Sequence, residues 1–453
     1  MSFKKDFAWG TATASYQIEG AFNEDGKGLG IWDVYSHIDG KIADNHNGDV
    51  ACDHYHRFKD DVKLMKELGI KAYRFSLSWP RILPDGTGRV NEKGVKFYSD
   101  LIDELLSNGI EPYITLFHWD LPYEIHKKGG WLNDKSVEWF AEYAGKVSEL
   151  FSDRVKYFMT FNEPQCFIGL GYMTGVFAPG LKSTYKDYFT MCHNVLKAHG
   201  AAVIALRKNA KNDIKVGYAP TGSVCYPEKE TPENIEAARK NYFSCPDLDD
   251  GVFWNVSWWS DPVVLGKYPE DGLEKYKEHL PEITEEDMKL ISQPLDFYGQ
   301  NIYNGWEIGI NEKGEEVSLK RPDGSPKTGN QWPVTPEVLR WGPRFLYERY
   351  KLPIYITENG MCAHDWVSLD GKIHDPNRID FLNRYLNELE KATDDGADIA
   401  GYFLWSFMDN LEWVKGYSDR FGIVYVDFQT QERIVKDSGY WYKEVIQNNG
   451  YNL

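Results

Sequence analysis

Residues 155–164 read Val-Lys-Tyr-Phe-Met-Thr-Phe-Asn-Glu-Pro and join a short apolar run to an acidic side chain. A short, continuous apolar run fits a strand that is buried on both faces, as in a parallel sheet. Asn162 and Glu163 then stand where that strand would end. Residues 353–360, Pro-Ile-Tyr-Ile-Thr-Glu-Asn-Gly, repeat the arrangement with Glu358. Two predicted strands that each end in a glutamate are therefore the starting point for the fold.

Runs of the same kind recur along the whole chain. Eight are found, at residues 7–15, 71–78, 111–117, 155–161, 214–219, 296–302, 353–357 and 399–405. Amphipathic patterns between them predict helices at residues 56–68, 94–106, 134–151, 188–207 and 375–390. The last of these begins Asp-Pro, with Asp375 as a candidate N-cap and Pro376 in the first turn.

Strands that alternate with helices imply right-handed crossovers and a parallel sheet. Eight such units predict one closed (β/α)₈ TIM barrel, a single catalytic domain over residues 1–453. A doubly wound open sheet is the alternative, but it usually has fewer strands, and the Gly-x-Gly-x-x-Gly fingerprint is missing after the first run. The long connections at residues 225–285 and 303–340 are predicted as loop insertions at the C-terminal face of the barrel.

The composition restricts the partners of the chain. It has 453 residues and a formal net charge of −18, from 51 basic and 69 acidic side chains. Such a surface repels nucleic acid and anionic membranes, so neither is expected as a partner. No apolar segment approaches the roughly 18 residues of a membrane-spanning helix. A homo-oligomer is compatible with the sequence.

The cysteines and the first residues suggest a cytoplasmic protein. The six cysteines are scattered without Cys-x-x-Cys spacing, which fits reduced thiols. Met-Ser-Phe-Lys-Lys-Asp at the start is not followed by an apolar run, so no secretory signal is expected.

The predicted strand ends carry an unusual set of side chains, and in a barrel the C-terminal strand ends form the active-site face. Amides, carboxylates and an imidazole can bind hydroxyl groups, and indoles can stack on the faces of sugar rings. The set therefore predicts a neutral polyol ligand. Its members are Gln17, Arg74, His118, Trp119, Asn162, Glu163, Asn301, Tyr303, Glu358, Trp405, Glu412 and Trp413.

Glu163 and Glu358 should face each other across this rim. Hydrolysis of a glycosidic bond uses two carboxyl groups, about 5–5.5 Å apart for retention and about 6.5–9.5 Å apart for inversion. The sequence leaves both geometries open. Arg74, on the second run, is expected beside Glu358, where a cation would keep that carboxylate ionised. Glu163 would need a raised pKa to donate a proton near neutral pH.

A metal site is the weaker prediction. His54-Tyr55-His56 places two histidines on one face of a strand-like segment, but no cysteine or acidic cluster with ligand spacing accompanies them. We therefore expect structural or rim histidines and neither a metal nor another cofactor.

Five motifs resemble glycoside hydrolase family 1, the β-glucosidase family, and the resemblance spans nearly the whole chain. The motifs are Tyr-Gln-Ile-Glu-Gly-Ala (16–21), Arg-Phe-Ser-Leu-Ser-Trp-Pro-Arg (74–81), His-Trp-Asp-Leu-Pro (118–122), Thr-Phe-Asn-Glu-Pro (160–164) and Ile-Thr-Glu-Asn-Gly (356–360).

This resemblance implies double displacement with retention, with Glu163 as acid/base and Glu358 as nucleophile. It also implies that Arg74 and Asn301 support the catalytic pair and that Tyr303 hydrogen-bonds the nucleophile. Trp405 would stack beneath the sugar with Trp413 beside it, and Trp332 would be a platform for the aglycone. The hydroxyl ligands would be Gln17, His118, Trp119, Asn162 and Glu412.

The resemblance also bears on the sugar. Where the 6-phospho-glycosidases of the family hold a phosphate with Ser, Lys and Tyr, this chain has Glu412, Asp419 and Phe421. Two acids would repel a phosphate, so an unphosphorylated sugar is expected, with Phe421 among the substrate-binding residues. Because Glu412 can accept from both the 4-OH and the 6-OH, β-galactosidase and β-fucosidase side activities are also expected.

The expected substrates are cellobiose, short cello-oligosaccharides and aryl β-glucosides. Three alternatives stay open: a dedicated transglycosylase on the same scaffold, a non-catalytic sugar-binding barrel and a metal-dependent hydrolase.

Overall fold

Eight parallel strands form the central sheet of a computed structural model that describes residues 3–451. The barrel strands are β1 (Ala8–Ala12), β2 (Ala72–Ser76), β3 (Glu111–Phe117), β4 (Tyr157–Asn162), β5 (Lys215–Ala219), β7 (Tyr298–Asn301), β10 (Ile354–Asn359) and β11 (Ile399–Trp405). Three further strands, β6 (Val224–Pro227), β8 (Gly305–Ile310) and β9 (Glu316–Ser318), form a small second sheet. A hairpin of β12 (Val424–Val426) and β13 (Arg433–Val435) follows the last barrel strand.

The central sheet curls until its two edges meet. Its strand order is β5-β4-β3-β2-β1-β11-β10-β7, so β5 and β7 are the edge strands. Asp296 donates its backbone N–H to the carbonyl of Val216, and Asn301 donates to Pro220. These bonds link the two edges, and the prediction of a (β/α)₈ barrel is confirmed.

Helices connect the strands and surround them. The longer ones are α3 (His54–Glu67), α5 (Glu92–Ser107), α7 (Ser136–Phe151), α9 (Tyr185–Asn209), α10 (Pro232–Phe243), α14 (Val338–Tyr350), α15 (Pro376–Asp394) and α16 (Asp437–Gln447). The shorter ones are α1 (Ser15–Ile18), α2 (Ile31–Tyr35), α4 (Trp79–Ile82), α6 (Tyr123–Lys127), α8 (Pro164–Ile168), α11 (Ser257–Val264), α12 (Glu270–Tyr276) and α13 (Glu285–Ile291). None of the helices within residues 3–451 is long and apolar enough to cross a membrane.

Aromatic side chains fill the interior of the barrel below the site. The rings of Tyr113 and Tyr157 stack with their centroids 4.2 Å apart, and Phe403 meets Tyr113 edge-on at 4.8 Å. Tyr355 and Phe297 belong to the same cluster. This aromatic cluster packs the N-terminal part of the barrel interior and leaves the C-terminal face as the place for a site.

The small sheet extends the barrel wall above that face. Thr221 pairs with Asn301 at the rim, and the parallel pairing resumes three residues later, where Val224 lies opposite Gly305. The small sheet therefore continues the pairing of β5 and β7 beyond the barrel. Residues 225–285 and 303–340 contain this sheet, as expected for insertions at the C-terminal face.

The predicted elements match those of the structure, with small shifts at their ends. All eight predicted strands are present, and the helix predicted at residues 134–151 begins at Ser136. Asp375 does occupy the N-cap position of α15, but its carboxylate does not cap that helix. Instead it accepts from the backbone N–H of Ser438 over 2.8 Å and binds Arg378.

Candidate active site

A cavity of about 740 Å³ opens at the C-terminal ends of the barrel strands. The predicted residues that line it are His118, Trp119, Glu163, Tyr303, Trp332, Glu358, Trp405, Glu412, Trp413 and Phe421. Gln17, Arg74, Asn162 and Asn301 lie behind this lining, and each is fully or almost fully buried. The structure therefore brings together all the residues that the sequence predicted for the site.

Glu163, at the end of β4, adopts an unfavourable backbone conformation. Its φ of 44° lies in the left-handed region, which costs free energy for a residue with a side chain. The N–H of Glu163 donates to the carbonyl of Ala219 on the neighbouring strand, and Pro164 begins α8 directly after it. These contacts fix the turn and direct the carboxyl group into the cavity.

Glu358 projects from β10 and receives two hydrogen bonds. Arg74 donates from Nη1 to Oε1 over 2.7 Å, and Tyr303 donates its hydroxyl to Oε2 over 2.8 Å. Gly360 follows two residues later, where a Cβ atom would lie only 1.7 Å from the carbonyl oxygen of Trp405. Only glycine permits this close approach, which brings the end of β11 and its indole beside Glu358.

Two amides bridge the glutamates. Oδ1 of Asn162 accepts from Arg74 Nη2 over 2.6 Å and from Asn301 Nδ2 over 2.9 Å. The same Asn301 nitrogen donates to Oε1 of Glu163 over 2.7 Å. A continuous chain of hydrogen bonds thus runs from Glu358 through Arg74, Asn162 and Asn301 to Glu163, and holds the two carboxyl groups in one site.

The two carboxyl groups differ in their contacts although both are buried. Burial raises the pKa of Glu163, and hydrogen bonds oppose this. Burial also raises the pKa of Glu358, to about 7, with the negative charge of Glu163 adding to the rise and Arg74 opposing it. Glu358 alone is in direct contact with a guanidinium group and a phenol. These contacts favour the ionised form of Glu358, so the proton that the pair shares belongs on Glu163.

His118 is neutral and its tautomer is fixed. Because Oδ1 of Asn162 accepts from Arg74, the amide nitrogen of Asn162 is the atom that faces His118, 3.0 Å from Nε2. Nε2 therefore accepts, and the imidazole proton lies on Nδ1. Burial, with a contribution from the charge of Arg74, lowers the pKa of His118 well below its ordinary value.

Gln17 and Glu412 form a second polar group. Gln17 donates from Nε2 to the carbonyl of Leu411 over 2.8 Å and to Oδ1 of Asn410 over 3.0 Å, and Glu412 Oε2 lies 3.5 Å from the same nitrogen. Within residues 3–451, Oε1 of Gln17 is buried without a hydrogen-bond partner. Burial raises the pKa of Glu412 to about 8, with a further contribution from the charge of Asp419.

Aromatic rings form the remaining walls. The imidazole of His118 lies nearly parallel to the indoles of Trp405 and Trp413, with centroids 5.7 Å and 5.9 Å away. Trp119 contacts Trp413 at 4.4 Å and donates its indole N–H to the carbonyl of Asn162. Trp332 lies 5.2 Å from the ring of Tyr303, and Phe421 contacts both of these rings.

The arrangement combines a carboxyl group suited to hold a proton, a carboxylate beside a cation, and walls of amides and indoles. Such a site can cleave a glycosidic bond. The sequence matches the model of the family described as "Glycosyl hydrolase family 1" over residues 1–451. The chain belongs to glycosyl hydrolase family 1. The family that the motifs suggested is therefore confirmed, and with it an O-glycosyl hydrolase.

Curated family 1 relatives match this chain over its whole length. "Beta-glucosidase A" of Thermotoga maritima is 46% identical over 99% of this chain and 98% of its own. "Beta-glucosidase A" of Acetivibrio thermocellus is 46% identical over 100% of this chain and 99% of its own. The "1,4-beta-D-glucan glucohydrolase" of Thermotoga neapolitana is 45% identical over 99% of both chains.

Solved family 1 structures match the fold equally well. The beta-glucosidase of Thermotoga maritima in complex with glucoimidazole superposes with a TM-score of 0.90, at 45% identity and over 99% of each chain. The same enzyme in complex with deoxynojirimycin superposes with a TM-score of 0.89 over 99% of each chain.

Other residues that line the cavity were missed from the sequence. Thr221 follows β5, at whose end the sequence analysis predicts no site residue, and its hydroxyl donates to the carbonyl of Asn301. Trp254 and Trp306 lie in the two long insertions. Both insertions are rich in polar and aromatic residues, and this was the signal that could have indicated them.

The prediction of a strand-like segment at His54 and His56 is wrong, because α3 begins at His54. His54 is buried, and its Nδ1 lies 2.7 Å from Asp61 Oδ2. His56 is exposed, with its ring nitrogens near Asp53 and Glu24. Among residues 3–451, no three His, Cys, Asp or Glu side chains are grouped so that they could hold a metal ion.

Proposed function

We propose that this family 1 enzyme is a retaining β-glucosidase that removes terminal β-D-glucosyl residues, with Glu358 as nucleophile and Glu163 as acid/base. The observation that carries this proposal is the difference between the two linked carboxyl groups. Arg74 and Tyr303 both donate to Glu358, whereas Glu163 accepts from the neutral amide of Asn301. One group is thus prepared to attack and the other to donate a proton.

In the first step, Glu358 attacks the anomeric carbon from the face opposite the leaving group. The bond between that carbon and the glycosidic oxygen breaks, and Glu163 gives its proton to the departing oxygen. The product is an α-linked glycosyl ester on Glu358. Because the ester is neutral, Glu163 no longer faces a second negative charge and can hold its own negative charge more easily.

In the second step, Glu163 acts as the base. It takes a proton from a water molecule, whose oxygen attacks the anomeric carbon while the ester bond to Glu358 breaks. The released sugar keeps the β configuration, and both carboxyl groups return to their starting states. The alternating charge of Glu358 thus gives Glu163 the right proton affinity in each half of the reaction.

The sugar is proposed to lie above Trp405, which offers an apolar face to its C–H groups. Gln17 and Glu412 would bind the hydroxyls far from the anomeric carbon, and the free Oε1 of Gln17 needs a donor such as a hydroxyl group. His118 and Asn162 would bind the hydroxyls on the other side. Tyr303 is proposed to hold Glu358, and Trp332 with Phe421 to border the leaving group.

The proposed substrates are cellobiose, short cello-oligosaccharides and aryl β-glucosides. Relatives named beta-glucosidase and 1,4-beta-D-glucan glucohydrolase, at 45–46% identity over the whole chain, support this class. They do not favour a non-catalytic sugar-binding barrel. Glu412 and Asp419 stand where a phosphate group would need cations, which supports an unphosphorylated sugar.

We further propose that residues 1–453 form one catalytic domain that works in a reducing compartment such as the cytoplasm. Six free and buried cysteines support that compartment, because secreted chains more often pair their thiols.

The nucleophile is tested with Glu358→Ala and azide. We expect activity on an aryl β-glucoside to fall by several orders of magnitude and to return with azide as an α-glucosyl azide. Glu163→Ala is the matched control, because azide should then replace water on an intact glycosyl-enzyme and give the β-azide. NMR of the two products distinguishes them. The assignment is refuted if both variants give the same anomer of the glucosyl azide, or if Glu358→Ala is active without azide.

A further inference from the structure

The exposed tryptophans of the chain are concentrated at the cavity. Of 16 tryptophans, four are more than a third exposed: Trp254 (42%), Trp306 (51%), Trp332 (38%) and Trp366 (70%). The first three all line the cavity that contains Glu163 and Glu358. Single exposed indoles are common, but several exposed indoles grouped around one cavity indicate a binding surface rather than packing.

Trp306 lies on the small sheet, beyond the site of bond cleavage. Cys225 in β6 and Trp306 in β8 line the cavity, and so do Ser223 and Asn304, each two residues earlier in the chain. Trp306 is directly opposite Cys225 in the parallel register. One face of the sheet therefore looks into the cavity. Because this sheet continues β5 and β7 beyond the rim, Trp306 stands further out than Tyr303, which contacts Glu358.

Trp254 is carried by a loop that is fastened near Glu163. Phe253 packs on Gly169, where a Cβ atom would approach its ring to 2.3 Å, so glycine is required for this contact. On the other side of Trp254, the carbonyl of Asn255 accepts from Nε2 of Gln165 in α8, over 3.1 Å. The loop is thus anchored on both sides of the indole, and Trp254 is presented on a fixed support.

The cavity between these two supports suits a neutral, extended and hydroxyl-rich ligand. Its volume of about 740 Å³ lies in the upper part of the usual range of about 300–1,000 Å³ for ligand pockets. Among its lining side chains, all within the described residues, there are four acids and neither lysine nor arginine. Asn304, Ser223 and Ser244 supply neutral hydrogen-bonding groups between the indoles. An acidic aglycone would be repelled, and a purely apolar one would leave these groups unpaired.

We propose that Trp306 and Trp254 form further sugar-binding sites on the aglycone side, beyond Trp332, and that the enzyme therefore prefers cellotriose and longer β-glucan oligosaccharides to cellobiose. This inference rests on the proposed β-glucosidase function. The aglycone of cellobiose is a single glucose ring, which reaches only the position at Trp332. The second and third rings of a longer aglycone lie against the outer indoles, and their binding free energy adds to transition-state stabilisation.

The test compares kcat/KM for cellobiose, cellotriose and cellotetraose in the wild-type enzyme and in Trp306→Ala and Trp254→Ala. We expect the wild-type ratio of cellotriose to cellobiose to exceed about five, as one stacked ring would give. One of the two variants should lower that ratio about threefold or more, and the other should lower the ratio of cellotetraose to cellotriose to a similar degree. Trp306→Phe should recover part of the loss that Trp306→Ala causes. Trp366→Ala is the matched control, since its indole is exposed but lies outside the cavity; its ratio should equal the wild-type ratio.

The outcomes separate the two proposals. If the wild-type enzyme cleaves an aryl β-glucoside with retention but its ratio is near one, or if neither variant changes the ratio, the outer sugar sites are refuted and the β-glucosidase function stands. If the variants weaken aryl glucosides and oligosaccharides of all lengths equally, the indoles serve a different aglycone and the inference also fails. If no β-glucoside is cleaved, the proposed function itself fails.

Discussion

Arg74 donates a hydrogen bond from Nη1 to Oε1 of Glu358 over 2.7 Å, and both side chains are buried. The same guanidinium donates from Nη2 to Asn162 and from Nε to Thr115. The guanidinium group is therefore in direct contact with one of the two carboxylates, while its remaining donors fix its own position. The pair couples the electrostatics of the site to its geometry, because the group that stabilises the ionised nucleophile also anchors the amide that leads to Glu163.

Replacing Arg74 should change the acidic side of the pH profile. Arg74→Met removes the cation that lowers the pKa of Glu358, so Glu358 becomes protonated at a higher pH. We expect the acidic limb of kcat/KM to move upwards by about one pH unit or more and activity at pH 6 to fall about 100-fold. Arg74→Lys keeps the charge and should leave that limb nearer its wild-type position. A loss of activity without any movement of the limb would mean that Arg74 acts only through structure.

Replacing Glu163 should affect the alkaline side and depend on the leaving group. Glu163→Gln cannot supply a proton, so kcat/KM for cellobiose should fall by about 10³-fold, whereas a dinitrophenyl glucoside, which leaves without a proton, should lose less than about tenfold. The alkaline limb should disappear for the activated substrate. The acidic limb should stay near its wild-type position, because Glu163 is still protonated when Glu358 ionises and a neutral amide then replaces a neutral acid. An unchanged alkaline limb would contradict the acid/base assignment.

Buried Glu412 should make the folded protein less stable as the pH rises. Its pKa is raised from an ordinary 4.5 to about 8, so between these values the folded chain keeps a proton that the unfolded chain releases. The free energy of unfolding therefore falls with rising pH across this interval. Glu412→Gln removes the effect, and its melting temperature should exceed that of the wild type by a margin of a few degrees that grows from pH 5 to pH 8. A constant difference across this range would refute the prediction, and activity should fall at every pH.

The hydroxyl of Tyr303 should contribute to catalysis through its contact with Glu358. Tyr303→Phe removes a hydrogen bond of 2.8 Å to a charged group, for which we expect kcat/KM to fall about 10- to 100-fold. Tyr218→Phe is the control, because Tyr218 is also buried but, within the part of the chain that is described, its hydroxyl has no hydrogen-bond partner. Similar losses in both variants would show that the effect comes from packing.

The sequence predicted the barrel and the residues at its centre for one physical reason. Strands of a parallel sheet are buried on both faces, so their sequences are continuous apolar runs. A polar residue directly after such a run is therefore expected at the rim of the barrel. Glu163 and Glu358 both satisfy this condition. The contacts of Glu358 with Arg74 and Tyr303 were predicted as well. The chain of hydrogen bonds through Asn162 and Asn301 to Glu163 was not, because it joins side chains from strands distant in the chain.

Other features depended on tertiary contacts that no local pattern encodes. The alternation in His54-Tyr55-His56 resembles a strand, yet His54 begins α3 and binds Asp61 two turns later. The positions of Trp254 and Trp306 at the cavity could not be predicted either, because both lie in long insertions and are placed by tertiary contacts. Trp254 is placed by the packing of Phe253 on Gly169, far away in sequence. Trp306 is placed by the pairing of two strands that belong to different insertions.

The small sheet that continues β5 and β7 separates two tasks that many enzymes combine. The catalytic pair and its supporting amides belong to the barrel, whose interior tolerates little change. Trp306 belongs to β8, which pairs with β6 and β9 and with no barrel strand. Because the small sheet carries Trp306 and the barrel carries the catalytic pair, we expect changes in segments 223–227 and 305–318 to alter the length of polysaccharide that the enzyme can bind. The geometry of the residues that break the bond should then stay unchanged.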